Sequence, residues 1–411
     1  MQLSDINLVD PDIFVEGVPH EQFTLLRREA PVFWHEDVHG GFWALTKHDD
    51  VVHANRDAKT FSSYERSALY NVEGDEETLA GVRLMMLNLD PPDHTKLRKI
   101  VNRGFTPRRI KELQQSLVDR SREIVDNIAE KGECDFVTEV ACELPLQAIA
   151  DLIGIPQEDR HMVFDWSNRM VGADDPEYGL TMADGATAAA ELFGYAQALA
   201  DDRRKNPRDD IVTDLLNAEV DGEALDDMEF NSFFMLLAVA GNETTRNAIS
   251  HSMLALIEHP DQRQLIIDDP SLLDGAIEEF LRWATPVMHF KRTAMRDLEL
   301  RGQQIKQGDR VMMWYSSANR DEEVFEDPFT FNVKRDPNLH TLHSAFGGGG
   351  PHFCLGANLA RTEMRVTFDE LLRRIPDMEL TAEPSRLRSN FINGLKHLPV
   401  KFTPVARSSS S

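Results

Sequence analysis

A lone cysteine, Cys354, stands where a run of glycines gives way to a helical pattern, in A-F-G-G-G-G-P-H-F-C-L-G-A-N-L-A-R from Ala345 to Arg361. Gly347 to Gly350 carry no side chains, so their backbone can lie flat against a large ligand. Downstream, Leu359, Thr362, Glu363 and Val366 keep helical spacing, and residues 358–372 contain neither Pro nor Gly. Cys354 is thereby placed at a helix N-terminus, where backbone N–H groups and the helix dipole favour a thiolate. Such a thiolate suits an axial ligand on a planar macrocycle. The bland alternatives are a buried free thiol, the commoner fate of a lone cysteine, or one ligand of a structural metal. No C-x-x-C pair supports a zinc site, and no C-x-x-C-H supports covalent attachment of a macrocycle. No G-K-[S/T] follows the glycines, so they do not form a phosphate loop.

Three further constellations could do chemistry. In D-P-P-D-H-T-K-L-R, beginning at Asp90, an aspartate can cap a helix and Pro is accepted in its first turn. His94 and Arg98 are then i,i+4 neighbours. They form either a surface pair or two cationic donors for ligand carboxylates, which the Arg fork matches. The second constellation is A-G-N-E-T-T, Ala240 to Thr245, inside a helix from about Asp227 to His259. Asp226 and Glu229 make a capping-box start, and Pro260 ends the helix. Roughly 30 residues at ~1.5 Å each would cross most of a domain. Ala240, Gly241, Thr244 and Ala248 share one nearly flat face, against which a planar cofactor could lie. The bland reading has Thr244 and Thr245 back-bonded to the i−4 carbonyl, and Glu243 paired with Arg246 or Asn247. Third, E-E-F-L-R sets Glu279 and Arg282 at i,i+3, a spacing that contributes only ~0.2–0.5 kcal/mol when solvated.

The elements that must position these residues are mostly helical. Residues 112–217 keep helical patterns with breaks at Gly132, Gly154-Ile-Pro156 and Asn206-Pro207. Helices over Arg160–Val171 and Ala186–Lys205 flank a loop around Gly172–Pro176. Short strands are expected at Val32–Trp34, Phe42–Leu45 and within Asp297–Ser316, and a turn near Phe391–Asn393. Tyr64 to Asn88 reads as irregular, with an acidic patch from Glu73 to Glu77. With 411 residues, 41% of them hydrophobic, the chain can bury a large core. No linker divides it, so one domain is expected over 1–406, with a disordered tail at 407–411. A net charge of −26 argues against nucleic acid as partner. Three cysteines and an acidic start without an apolar h-region fit a cytoplasmic protein. The longest apolar run, Phe233 to Ala240, is too short to span a bilayer, so no integral membrane segment is expected. Against the acidic background, Thr95 to Lys111 holds three Lys, four Arg and no acid.

These motifs together resemble the cytochrome P450 monooxygenases. The family's cysteine loop, F-G-x-G-x-H/R-x-C-x-G, is matched by Phe346, His352, Cys354 and Gly356, with Phe346 one residue farther from the cysteine than usual. A subset of the family, including mycobacterial sterol and branched-lipid hydroxylases, shares the longer loop. H-x-x-x-R, A/G-G-x-D/E-T and E-x-x-R are also matched, in the family's order. The resemblance implies the mainly α haem-thiolate fold with a small β-rich part, and haem b as cofactor. Cys354 would be the axial ligand of the iron, donating electron density that favours O–O cleavage. It implies that His94, Arg98, Arg292 and His352 bind the haem propionates, while Phe346, Gly241 and Gly356 pack on the cofactor. Thr244 and Glu243 become the oxygen-activating pair, Thr244 holding dioxygen by hydrogen bonds and Glu243 relaying protons. Glu279, Arg282 and Arg335 become a structural network. Ala240, Val287, Met288, Phe391 and Ile392 would face a hydrophobic substrate.

The implied reaction converts R–H, dioxygen, two electrons and two protons to R–OH and water. The segment T-P-V-M-H-F-K-R and the longer loop point to terminal hydroxylation of a sterol side chain or methyl-branched lipid. Terpenoid or macrolide hydroxylation is the alternative, and a non-oxygenating haem sensor the rival of another class. No nucleotide-binding module is visible, so a ferredoxin with its reductase would supply electrons. The basic stretch Lys96–Lys111, with Arg361 and Arg365, is the expected docking face.

Overall fold

A helix of 32 residues, Asp227–Glu258, runs through the middle of the molecule. Its start is a capping box: Asp226 accepts from the Glu229 N–H (2.8 Å), and Glu229 accepts from the Asp226 N–H (2.9 Å). From Phe230 to Leu256 it is buried on most sides. Several of its polar residues bond to carbonyls within the helix, although both side-chain polar atoms of Asn242 are buried without a partner among the described residues. Asn247 donates to the Glu243 carbonyl, Ser250 to Arg246 and Ser252 to Ala248. The helix stops at Glu258, and Pro260 opens the next one, Pro260–Asp268, at a position where no N–H is needed.

The computed structural model describes residues 1–408 except 71, 73, 103, 173, 174, 179, 180, 221, 222 and 337. Most of the framework is helical. The helices Arg160–Val171 and Met182–Lys205 pack on each other and on the central helix; Glu143–Ile153 lies along another flank. The cysteine helix, Ala357–Arg374, packs against Pro107–Ala129 and against Leu273–Ala284, which carries E-E-F-L-R. One hydrophobic core joins all of these.

To one side lies a five-stranded sheet in the order Val32–His35, Phe42–Leu45, Arg310–Trp314, His289–Ala294, Phe61–Ser62. Val311 pairs in parallel with Trp43 and antiparallel with Arg292. This register fixes where Arg292 enters the interior. A second core, with Trp314, Phe42 and Met288, fills the opposite face.

Several local expectations shift. Within Tyr64–Asn88 there is a helix, Glu76–Val82, because Asp75 caps it by accepting from the Thr78 N–H (3.0 Å). The helix expected from Ala186 begins at Met182, because Thr181 and Asp184 form a capping box. Glu73 of the acidic patch and residues 173 and 174 of the loop lie outside the described residues. The tail is tethered at its start: the Ser408 N–H donates to Asp126 (2.8 Å). Residues 409–411 of that tail are likewise outside the described residues. Among the described residues, no helix is long and apolar enough to cross a membrane.

Candidate active site

Cys354 precedes the cysteine helix by three residues and lines a cavity between that helix and the central one. Its N–H donates to the Phe346 carbonyl (3.0 Å), closing the loop on itself. The intervening glycines, Gly347 to Gly350, all take positive φ, from 64° to 105°. Their need for glycine differs from the flat-loop expectation. A Cβ on Gly350 would lie 2.3 Å from the Asn55 carbonyl, and one on Gly349 would lie 2.8 Å from Arg56 Nε. The crowding comes from the neighbouring helix His48–Arg56, not from the cavity. Burial pushes the Cys354 thiol up; the Gly356 N–H and the charges of Arg98 and Arg361 pull it down.

The opposite wall is the central helix, which presents Ala240, Gly241, Thr244, Thr245 and Ala248 to the cavity. The shared face read from their spacing is there, yet the missing side chain of Gly241 serves packing. A Cβ there would meet Ile149 Cδ1 at 2.7 Å. The Thr244 hydroxyl donates to the Ala240 carbonyl (2.8 Å), the back-bonded alternative. Glu243 is buried and turned away from the cavity. It pairs with Arg246, whose guanidinium also bonds Asn168 (3.0 Å) and lies over the Phe164 ring. Burial raises the Glu243 pKa, against the attraction of Arg246.

One end of the cavity collects basic side chains. His94, Arg98, Arg292 and His352 all line it. The two imidazoles approach to 4.2 Å between centroids. Both His94 ring nitrogens are buried without a hydrogen-bond partner. Burial, with the charges of Arg98 and Arg292, pushes His94 down to about 4; burial and Arg292 hold His352 well below its usual value. Arg98 donates to the Phe353 carbonyl and Arg292 to the Lys291 carbonyl; among the described residues neither has a carboxylate partner. Arg292 is buried and Arg98 partly so, and a buried cation without an anion is costly. A planar ligand bearing two carboxylates, set between Cys354 and the central helix, would satisfy them. The donor set agrees. Among the described residues no three His, Cys, Asp or Glu gather around a point, so a metal facing Cys354 needs its remaining ligands from a macrocycle. The residues present thus fit a haem.

Beyond this end the lining turns aliphatic and aromatic, with Met86, Leu87, Leu236, Leu237, Val287 and Phe290. Ala240 and Val287 line the cavity, but Met288, Phe391 and Ile392 do not. Successive residues of an extended segment face opposite ways, so Met288 enters the second core behind Val287. The Phe391 ring sits behind Phe290, 5.6 Å between centroids, and Ile392 pairs with Val287 through a backbone bridge. Ile149, Tyr315 and Glu363 line the cavity and were not singled out. Burial pushes the Glu363 carboxyl up to about 8 against a hydrogen bond from Thr245. Its helical spacing was visible; its facing partner was not.

Behind the cysteine loop, Glu279 and Arg282 form a fully buried bidentate pair (2.7 and 2.8 Å), joined by Arg335 at 3.2 Å. Arg282 also donates to the Asn319 and Pro328 carbonyls, and Asn319 accepts from the Ser344 N–H (2.7 Å), where the loop begins. Arg361, expected on a docking face, instead turns inward to Glu278 (2.6 Å). Within the basic run, Lys96 pairs with Asp93 and Arg109 with Asp209, while Arg103 lies outside the described residues.

The family model for cytochrome P450 matches residues 180–376. A steroid C26-monooxygenase of Mycobacterium tuberculosis is 49% identical over 97% of this chain and 94% of its own length. A methyl-branched lipid omega-hydroxylase of the same organism is 45% identical over 98% and 95%. Among solved structures, a Mycobacterium marinum cytochrome P450 in complex with pseudoionone superposes with a TM-score of 0.90. It shares 39% identity over 97% of this chain and 98% of that one.

Proposed function

Because the chain belongs to the cytochrome P450 family it is a haem monooxygenase, and we propose that it hydroxylates the terminal carbon of a sterol side chain or methyl-branched lipid. The observation that carries this is near-full-length similarity to two relatives with those named activities, joined to a cavity whose far end is aliphatic. Such a wall rewards an apolar tail at about 25 cal/mol per Å² buried.

When bound, the haem supplies the dioxygen chemistry that inserts one oxygen atom into a C–H bond. In this reading Cys354 would bind the haem iron through its sulfur, and Phe346, Gly241 and Gly356 would border the cofactor. Arg98 and Arg292 meet its carboxylates by charge-assisted hydrogen bonds, with His94 and His352 as further donors. The Thr244 hydroxyl must rotate away from the Ala240 carbonyl to donate into the cavity. Glu243 must leave Arg246 to carry protons inward. Burial raises its pKa and so favours proton uptake at this carboxyl. Electrons come from a separate carrier, which we assign to a ferredoxin docking on the exposed part of the basic run, Lys99, Arg108 and Lys111. Three cysteines without disulfides accord with action in the cytoplasm.

A second reading is favoured by the pseudoionone complex of the M. marinum relative: hydroxylation of a terpenoid-like substrate. Titration of the purified ferric protein separates the two. The panel holds a cholestenone-type steroid, a methyl-branched fatty acid, a straight-chain fatty acid and a monoterpene, read by the low- to high-spin shift of the Soret band. The steroid or branched acid is expected to shift it at the lowest concentration, and product analysis to find the hydroxyl on a terminal carbon. A shift confined to the monoterpene overturns the lipid reading.

A further inference from the structure

The glutamate before the E-x-x-R motif has no place in the roles assigned so far. Glu278 is buried and receives both arms of Arg361, Nε to Oε1 at 2.6 Å and Nη2 to Oε2 at 2.9 Å. It also receives His343 Nε2 (2.9 Å), whose Nδ1 accepts from the Ala345 N–H (3.2 Å), so the hydrogen of this imidazole lies toward Glu278. Burial opposes ionisation of Glu278, but the hydrogen bonds from His343 and Arg361 hold it down to about 2. One anion and one cation are thus locked together beside the cysteine loop.

What this pair touches sets it apart from the Glu279 network. The Arg361 guanidinium lies over the Phe346 ring, 4.6 Å from the centroid. His343 and Phe353 border the same ring at 5.8 and 6.2 Å. The carbonyl of Phe346 accepts the Cys354 N–H. Between these two residues the loop has the four left-handed glycines, which offer no side chain to hold the ring. Arg361 is therefore the cation that seats Phe346, and Glu278 is what orients Arg361. Arg361 is mostly covered and its partner Glu278 is buried, so the charge fixed in this way is screened less than that of a fully solvated pair.

We propose that Arg361, held by Glu278, is a positioning residue that seats Phe346 beside the cysteine loop and sets how strongly the Cys354 sulfur donates electron density. The proposal rests on the haem-thiolate reading. The positive end of the pair faces the loop and the negative end lies behind it. Reduction of the iron adds one electron, so a nearby positive charge favours the reduced form and a nearby negative charge the oxidised form.

The test is the reduction potential of the purified holoprotein, measured by spectroelectrochemical titration. Glu278→Gln keeps an acceptor for His343 but leaves the Arg361 charge uncompensated, so the potential is expected to shift upward. Arg361→Met leaves Glu278 uncompensated, and the potential is expected to shift downward. Arg361→Lys keeps the charge and should remain near the wild type. Mere loosening of the loop would move all variants in the same direction. Unchanged potentials, or shifts of one sign in Glu278→Gln and Arg361→Met, overturn the proposal. If Arg361→Met does not hold haem, the upward shift in Glu278→Gln and the retained value in Arg361→Lys still decide it. A wild-type protein whose reduced carbon-monoxide complex lacks the thiolate absorbance signature would overturn the haem-thiolate reading itself. A normal signature with unshifted variants overturns only the role of the pair.

Discussion

At the scale of single residues, the site depends on groups that cannot be content as they stand. Among the described residues, His94 has two buried nitrogens without partners, and Arg98 and Arg292 make hydrogen bonds only to carbonyls. A charge-assisted hydrogen bond contributes ~1.5–3 kcal/mol, so Arg292→Leu is expected to speed haem transfer to apomyoglobin by roughly 10- to 100-fold. The check is the transfer rate against wild type. Thr244 presents the other residue-scale demand, because its hydroxyl is committed to the Ala240 carbonyl. Thr244→Ala is expected to keep consuming electrons while product per electron falls several-fold. Tight coupling in that variant would sink the assigned role. Glu243→Gln removes the proposed proton carrier and should slow turnover about 10²-fold, the lower range for positioned acid–base groups.

At the scale of elements, the cysteine loop is shaped from behind. The Glu279–Arg282 pair, with Arg335 and the Asn319 carbonyl, gathers three stretches of chain that meet only in the fold. Breaking a buried pair by removing one partner costs ~3–5 kcal/mol. Glu279→Gln should therefore lower the denaturation midpoint of the holoprotein well before it alters any spectrum of the folded fraction. Gly350 offers a sharper case. Its φ of +81° disfavours any side chain, and the atom its Cβ would strike is backbone, which cannot swing aside. Gly350→Ala is expected to yield protein with reduced haem content, whereas a Cβ on Gly347 would meet nothing closer than 3.8 Å. Equal haem content in the two glycine variants would show that the loop is not held by the His48–Arg56 helix.

At the scale of the whole molecule, charge sets the conditions of use. His397 joins Asp135 and Glu177, and the hydrogen bond to Asp135 raises its pKa above 6.5. A raised value means that its stabilising contribution is present below 6.5 and is lost as pH rises through the folded value. The denaturation midpoints of wild type and His397→Gln should thus differ in mild acid and converge in alkali. Glu278 works at the other extreme. Its contribution is present above 4.5 and disappears as pH falls toward about 2. The net charge of −26 leaves the exposed cations of the basic run as a local exception. Reduction by an acidic ferredoxin should slow as ionic strength rises, and Lys99→Glu should slow it further. Indifference to salt would remove the docking assignment.

Much of this protein is written locally. The cysteine after four glycines, the capping box of the central helix, and the i,i+4 and i,i+3 pairs are short-range statements, and short-range sterics and hydrogen bonding make them legible from residue types alone. The family follows from four such motifs in order. What only the tertiary structure decided are meetings between distant segments. His94 reaches His352, Gly241 yields to Ile149, and Arg361 turns from the surface to Glu278. Val287 faces the cavity while Met288 feeds a second core. Spacing along a chain says which side chains share a face. Which other face packs against it is set by burial summed over the whole core.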